Sequence, residues 1–216
     1  MIRLAIVDDD PLVRAGLRML LAAASDIEIV AEAADGAEAA VAVDAHSPDV
    51  VLMDIRMPKV DGLIATERLR SRANRPHVIV LTTFSADDYV LRALRAGASG
   101  FLLKDTPPRD LIQAVRTIVA GDAMLSPSIT KQLIEHVADP GAGARQQDAR
   151  TRLARLTARE REVAQAVGRG RSNAEIAADL RMSVPTVKAH VSRLLTKLDA
   201  TNRVQIALVV HDAGAR

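Results

Sequence analysis

The sequence predicts a doubly wound α/β domain with a five-stranded parallel sheet, followed by a small all-helical domain. Three observations carry this. Short apolar stretches alternate with helix-period stretches through the first 121 residues, the pattern of consecutive βα units. The charge then changes sign: residues 1–121 hold 14 Lys/Arg against 17 Asp/Glu, net −3, whereas residues 151–216 hold 12 against 6, net +6. Between the halves, Asp139-Pro140-Gly141-Ala142-Gly143 offers turn residues and no apolar anchor.

Strands are expected over 3–7, 27–32, 49–53, 77–82 and 99–102. Helices are expected over about 11–24, 36–46, 62–71, 87–95 and 108–120 by periodicity. Pro11 suits the head of the first helix, where a missing N–H costs nothing. Asp35-Gly36, Gly97-Ala98 and Gly121-Asp122 supply turns. Each parallel connection must be a right-handed helical crossover, so five such units wind a sheet of order 2-1-3-4-5. Residues 126–138 read as an amphipathic helix with Ile129, Leu133, Ile134 and Val137 on one side, and 139–150 as a flexible linker. The expected divisions are therefore 1–121, a connecting region 122–151, and 152–216.

Composition narrows the chemistry. Apolar residues make up 49% of the 216, but aromatics only 1%, so both cores must pack from Ala, Leu, Val and Ile. With no cysteine, disulfides and Cys-ligated zinc are excluded and a reducing compartment fits. The first apolar run meets Asp8 too soon for a signal peptide or a membrane span. A cytoplasmic location is the expectation. His46, His77, His136 and His211 show no metal-ligand spacing.

The first strand ends in Asp8-Asp9-Asp10, and the third, Val50-Val51-Leu52-Met53, ends on Asp54. In the expected sheet these two strands are neighbours at the switch point, where doubly wound sheets bind ligands. Three carboxylates gathered there would repel unless a cation sat among them. Mg²⁺ suits such a site, since it takes oxygen ligands and commonly bridges carboxylates to a phosphoryl group. Thr82 at the fourth strand end adds a hydroxyl, and Lys104 at the fifth adds an ammonium. Taken singly, Asp54 would serve equally well as a turn cap, Asp8 and Asp9 as helix caps, and Lys104 as a solvated charge. Together they supply what phosphoryl transfer to Asp54 requires.

On these residues, 1–121 resembles the receiver domain of two-component response regulators. The resemblance implies that Asp54 takes phosphate from a sensor histidine kinase, with Mg²⁺ held by Asp8, Asp9, Asp54 and the backbone carbonyl of Arg56. It implies that Thr82 and Lys104 bind the phosphoryl oxygens and that Phe101 turns inward on activation. Asp105 stands where the family usually has proline. Arg56 and Phe84 lie two residues beyond Asp54 and Thr82, where large groups would hinder an attacking water, so slow self-dephosphorylation is expected.

In the basic half, Thr157-Ala158-Arg159-Glu160 and Ser172-Asn173-Ala174-Glu175 have capping-box spacing, and Ser183-Val184-Pro185-Thr186 heads a third helix. A fourth helix is expected from about Arg203 to His211. The second and third helices, joined by a short turn, read as a helix-turn-helix, whose second helix enters the DNA major groove. Val187, Val191, Leu194, Leu195 and Leu198 should face the core, leaving Thr186, Lys188, Ala189, Ser192, Arg193 and Thr196 outward. Lys188 suits guanine acceptors and Ala189 a thymine methyl, whereas Arg193 and Lys197 suit phosphates. His190 fits either a phosphate contact or a structural hydrogen bond, and by charge alone the helix could simply be solvated.

Leu156-Thr157-Ala158-Arg159-Glu160-Arg161-Glu162-Val163, Gly170 to Ala177 and Thr186 to Val191 resemble the LuxR-type DNA-binding domain over about 152–212. The whole chain is thus similar to the NarL/FixJ class. The resemblance implies a homodimeric transcription regulator, not an enzyme, with a dimer contact around Arg203–Val210 and an inverted-repeat DNA site. Two alternatives stand beside it: a phosphotransferase or phosphatase using Asp54 as nucleophile, and a regulator that binds DNA constitutively.

Overall fold

Strands buried on both faces need apolar residues at every position, and the third strand supplies them. The computed structural model describes residues 1–72, 75–83, 87–125 and 142–214. In it, β1 (Ile2–Val7), β2 (Ile27–Ala33), β3 (Val50–Asp54), β4 (His77–Thr82) and β5 (Gly100–Leu103) alternate with five helices. These are α1 (Pro11–Leu21), α2 (Gly36–His46), α3 (Gly62–Arg70), α4 (Asp87–Arg95) and α5 (Pro108–Val119). All strand pairs are parallel in the order β2-β1-β3-β4-β5, as expected. A two-residue strand, β6 (Met124–Leu125), extends the edge beside β5. Two residues are too few to show a periodicity, so this strand was invisible in the sequence.

Every residue of β3 is buried. On one face of the sheet Leu4, Ile6, Val50, Leu52, Ile79, Leu81 and Leu102 pack with Leu111, Ala114, Val115 and Ile118 of α5. Their period-two spacing puts them on a common side, and each fully buried branched side chain contributes about 1.5–3 kcal/mol. Three acids start the helices: Asp10 caps α1, Asp35 caps α2 and Asp61 caps α3, each accepting backbone N–H bonds. Asp10 is thereby a helix cap, and Pro11 follows it at the first helical position.

The second unit is helical: α6 (Ala142–Ala154), α7 (Ala158–Gly168), α8 (Asn173–Asp179), α9 (Val184–Lys197) and α10 (Arg203–Asp212). Both expected capping boxes form, Thr157 with Glu160 and Ser172 with Glu175. Ser183 caps α9, and Arg181 turns the chain between α8 and α9 in a left-handed conformation, φ 52°. Its core gathers Val163, Val167, Ile176, Val187, Leu194, Leu198, Ile206 and Val210.

One expectation fails here. The stretch 139–150, read as a flexible linker, is helical from Ala142 onward, and α6 makes this a five-helix unit among the described residues. Ala149 and Leu153 anchor α6 at an i, i+4 spacing in the core. Only the first of them falls inside the expected linker, so the stripe was cut in two. The Arg, Gln and Ala of α6 at 145–147, 149, 150 and 152 are strong helix formers. The helix expected over 126–138 lies outside the described residues.

Candidate functional site

Parallel strands present all their C-terminal ends at one edge, and four adjacent ends deliver the acidic constellation there. Val7 pairs with Met53, so Asp8 and Asp54 lie side by side one residue further on. Asp54 pairs with Leu81, next to Thr82, and Thr82 pairs with Leu103, next to Lys104. Ligand oxygens of Asp8, Asp9 and Asp54 lie within 4.8 Å of one another. Asp8 is 1% and Asp54 6% exposed, whereas Asp9 faces solvent. Lys104 Nζ sits 2.6 Å from Asp8 Oδ2 and 3.1 Å from Asp54 Oδ1.

Burial pushes the Asp54 carboxyl above its usual range, against the opposing pull of the Lys104 ammonium. For Lys104, burial acts to lower the pKa, but the hydrogen bond to Asp8 and the charges of both aspartates outweigh it and hold the ammonium above the ordinary lysine range. Two carboxylates this close repel by on the order of 3 kcal/mol at an effective dielectric of 20. One ammonium shared between two of three carboxylates leaves negative charge uncompensated. An all-oxygen set of this kind fits a hard divalent cation such as Mg²⁺.

The loop after β3 explains the Asp61-Gly62 pair. A Cβ at residue 62 would stand 1.8 Å from the Asp54 carbonyl oxygen, so only glycine fits. The Gly62 N–H donates to Ile55 O at 2.9 Å, tying the start of α3 to the residue after β3, and Thr66 Oγ1 donates to Gly62 O at 2.7 Å within the first turn of α3. Asp54 is therefore held from behind by backbone.

In the helical unit, α9 turns Val187, Val191, Leu194 and Leu198 inward, with Leu195 half-buried against the same core. Thr186, Lys188, Ala189, Ser192, Arg193, Thr196 and Lys197 are exposed. His190 is half-buried, and its Nδ1 atom is buried with no hydrogen-bond partner among the described residues.

Residues 4–116 match the family described as the response regulator receiver domain. Residues 154–210 match the bacterial regulatory proteins of the luxR family. The chain belongs to the two-component response regulators with a LuxR-type DNA-binding domain. It is 39% identical over 206 residues to the uncharacterized transcriptional regulatory protein YhcZ of Bacillus subtilis, covering 95% of this chain and 94% of that one. It is 34% identical to the nitrate/nitrite response regulator protein NarL of Escherichia coli K12, covering 95% and 93%. Among solved structures it is similar to the response regulator ChrA of a heme-sensing two-component system, at 37% identity and TM-score 0.54, covering 97% and 96%.

In this regulator the structure brings Asp8, Asp9, Asp54 and Lys104 together, with Thr82 buried at the adjacent strand end. Arg56 is exposed two residues after Asp54. Phe101 on β5, the expected switch aromatic, is fully buried. Phe84 lies outside the described residues. Lys197, expected on a DNA phosphate, is exposed and donates to Glu160 Oε2 at 2.8 Å. On α10, around which the dimer contact is expected, Val204, Ile206 and Val210 are buried and Leu208 is half-buried. Sequence reasoning missed the Lys197–Glu160 tie, although the Glu160 capping box had marked one of its partners.

Proposed function

We propose that Asp54 accepts a phosphoryl group from a cognate sensor histidine kinase, and that this event controls sequence-specific DNA binding by a homodimer in the cytoplasm. The observation that supports it is the meeting of Asp8, Asp9 and Asp54 within 4.8 Å, with the Lys104 ammonium on two of them. An Asp54 carboxylate oxygen attacks phosphorus, the P–N bond to the kinase imidazole breaks, and an acyl phosphate remains. Asp8, Asp9, Asp54 and the Arg56 carbonyl would hold Mg²⁺, which supplies neutralising charge to the phosphoryl oxygens. The Thr82 hydroxyl and the Lys104 ammonium bind those oxygens afterwards, and Phe101 repacks with them. The site acts on its own aspartate rather than turning over an external substrate. None of the described helices is long and apolar enough to cross a membrane.

On the output side, Thr186, Lys188, Ala189, His190, Ser192 and Arg193 of α9 enter the major groove, with Lys197 near the phosphates. Two copies related by a two-fold axis read an inverted repeat. Moving such a switch from 1:99 to 99:1 needs about 5.5 kcal/mol of differential stabilisation. That exceeds one phosphate–lysine contact, and dimerisation on DNA contributes the remainder.

The test is phosphorylation of the full chain by a small phosphodonor, read by intact mass and by genome-wide DNA capture with and without the donor. Wild type should gain one phosphoryl group and change its captured sites, and Asp54→Asn should do neither. Equal DNA binding by both proteins under both conditions would overturn the switch.

A further inference from the structure

The strand ladders of β1 end at Val7, so the Asp8 carbonyl lies beyond the last paired residue of the sheet. An arginine meets it. Arg14 Nη1 donates to Asp8 O at 2.7 Å, while its Nε lies 3.4 Å from Glu32 Oε2 on β2. Arg14 is the fourth residue of α1, in a helix N-terminal region where a cation opposes the helix dipole. The helix dipole therefore does not favour an arginine there. The other atoms of Asp8 are also engaged: its N–H donates to Ala33 O, Oδ1 accepts from the Asp10 N–H, and Oδ2 meets Lys104.

We propose that Arg14, braced by Glu32, is a positioning residue for the metal-binding carboxylates of Asp8 and Asp9. It acts through the backbone and touches no reacting atom. Fixing the Asp8 carbonyl fixes the plane of the Asp8–Asp9 peptide, and that plane sets the direction in which the exposed Asp9 side chain leaves the chain. Asp8 is anchored by its own side chain as well, whereas Asp9 depends on this peptide for its approach to Asp8 and Asp54. The inference rests on the Mg²⁺ reading above.

Electrostatics alone gives the opposite sign. Arg14 is a cation near a cation site, so deleting it should tighten Mg²⁺ if charge were its only effect. Positioning predicts weaker binding, by about 10-fold, the lower end of the usual cost of losing a group that orients metal ligands. Arg18 supplies the internal control. Its Nη1 also pairs with Glu32, at 3.0 Å, but its side chain is 58% exposed against 19% for Arg14.

The experiment is calorimetric titration of Mg²⁺ into the full chain, with the urea midpoint in EDTA checking the fold of each variant. Arg14→Gln should bind about 10-fold more weakly, and Arg14→Lys, which keeps one donor, should recover part of that loss. Glu32→Gln leaves Arg14 in place but unbraced and should give a smaller loss, which keeps the inference testable if Arg14→Gln fails to fold. Arg18→Gln should bind as wild type does. Unchanged or tighter binding by Arg14→Gln, or an equal loss in Arg18→Gln, overturns the role of Arg14. Asp9→Asn separates the two readings: if wild type shows no Asp9-dependent Mg²⁺ binding, the metal reading falls and this inference falls with it.

Discussion

Lys197 Nζ donates to Glu160 Oε2 across 2.8 Å, fastening the end of α9 to the first turn of α7. The same carboxylate oxygen accepts from the N–H and the hydroxyl of Thr157, both at 2.9 Å. Glu160 thus closes a capping box and a helix–helix tie at once. Removing the ammonium leaves a nearly buried carboxylate without its cation, so Lys197→Ala should destabilise the helical unit by about 1 kcal/mol. Urea unfolding followed by helix signal checks this, with Arg193→Ala, on the same exposed face, as the near-neutral comparison.

The same tie sets a pH dependence. The Lys197 hydrogen bond, followed by the Thr157 N–H, holds the Glu160 carboxyl down at about 2 against an ordinary 4.5. A folded-state pKa below the unfolded one gives stability that is complete above pH 4.5. It is lost as pH falls through the folded value. We expect about 2 kcal/mol to vanish across that window, after allowing for screening of the half-exposed lysine. Thermal melts of wild type should fall more steeply there than those of Glu160→Gln. Parallel pH profiles would remove Glu160 as the cause.

Lys188 and Arg193 are both exposed on α9 but should differ in what they do on DNA. Lys188 lies one turn from the helix start, where side chains reach base edges, and Arg193 lies beyond it toward the backbone. Lys188→Ala should cost about 1–3 kcal/mol on the preferred site and relax the preference. Arg193→Ala should weaken all sequences alike and reduce the salt slope by about 1. Binding isotherms at several salt concentrations on matched and scrambled duplexes measure both quantities.

How much of this could be read beforehand depended on whether a feature repeats locally. The apolar runs ending at Val7, Met53 and Thr82 and the boxes at Thr157 and Ser172 are local patterns, and the strands, sheet order and caps followed from them. Asp8, Asp54 and Lys104 were legible because parallel topology converts a position at a strand end into a position in space. The Arg14–Asp8 carbonyl bond and the Lys197–Glu160 pair join residues on different elements through long side chains, and no spacing encodes them. Helix α6 was missed because Ala149 and Leu153 fell on either side of the boundary drawn at the end of the expected linker, residue 150.

Gly62 should tolerate no side chain. Its missing Cβ leaves the space that the Asp54 carbonyl fills, 1.8 Å from where a methyl would stand. Because the obstacle is backbone of a fully buried strand, the clash cannot be relieved by a rotamer change. Gly62→Ala should therefore destabilise the sheet unit by about 3 kcal/mol and displace Asp54 even where folding survives. A urea midpoint equal to wild type would contradict the close approach.

Lys104 should restrain the metal site rather than complete it. Its ammonium lies 2.6 Å from Asp8 and 3.1 Å from Asp54, on the carboxylates that a divalent cation would use. Replacing it with methionine keeps much of the side-chain volume but removes the competing charge, so Mg²⁺ affinity should rise by about tenfold, or about 1.4 kcal/mol. In EDTA the same variant should be less stable than wild type at neutral pH, since Asp8 and Asp54 then lack a cation in a buried site. The two proteins should converge in stability as Mg²⁺ is added. After phosphorylation the order reverses in function: without an ammonium to hold the phosphoryl oxygens, Lys104→Met should carry the modification yet fail to shift DNA affinity. A variant that loses Mg²⁺ affinity instead would show that Lys104 organises the carboxylates rather than competing for them.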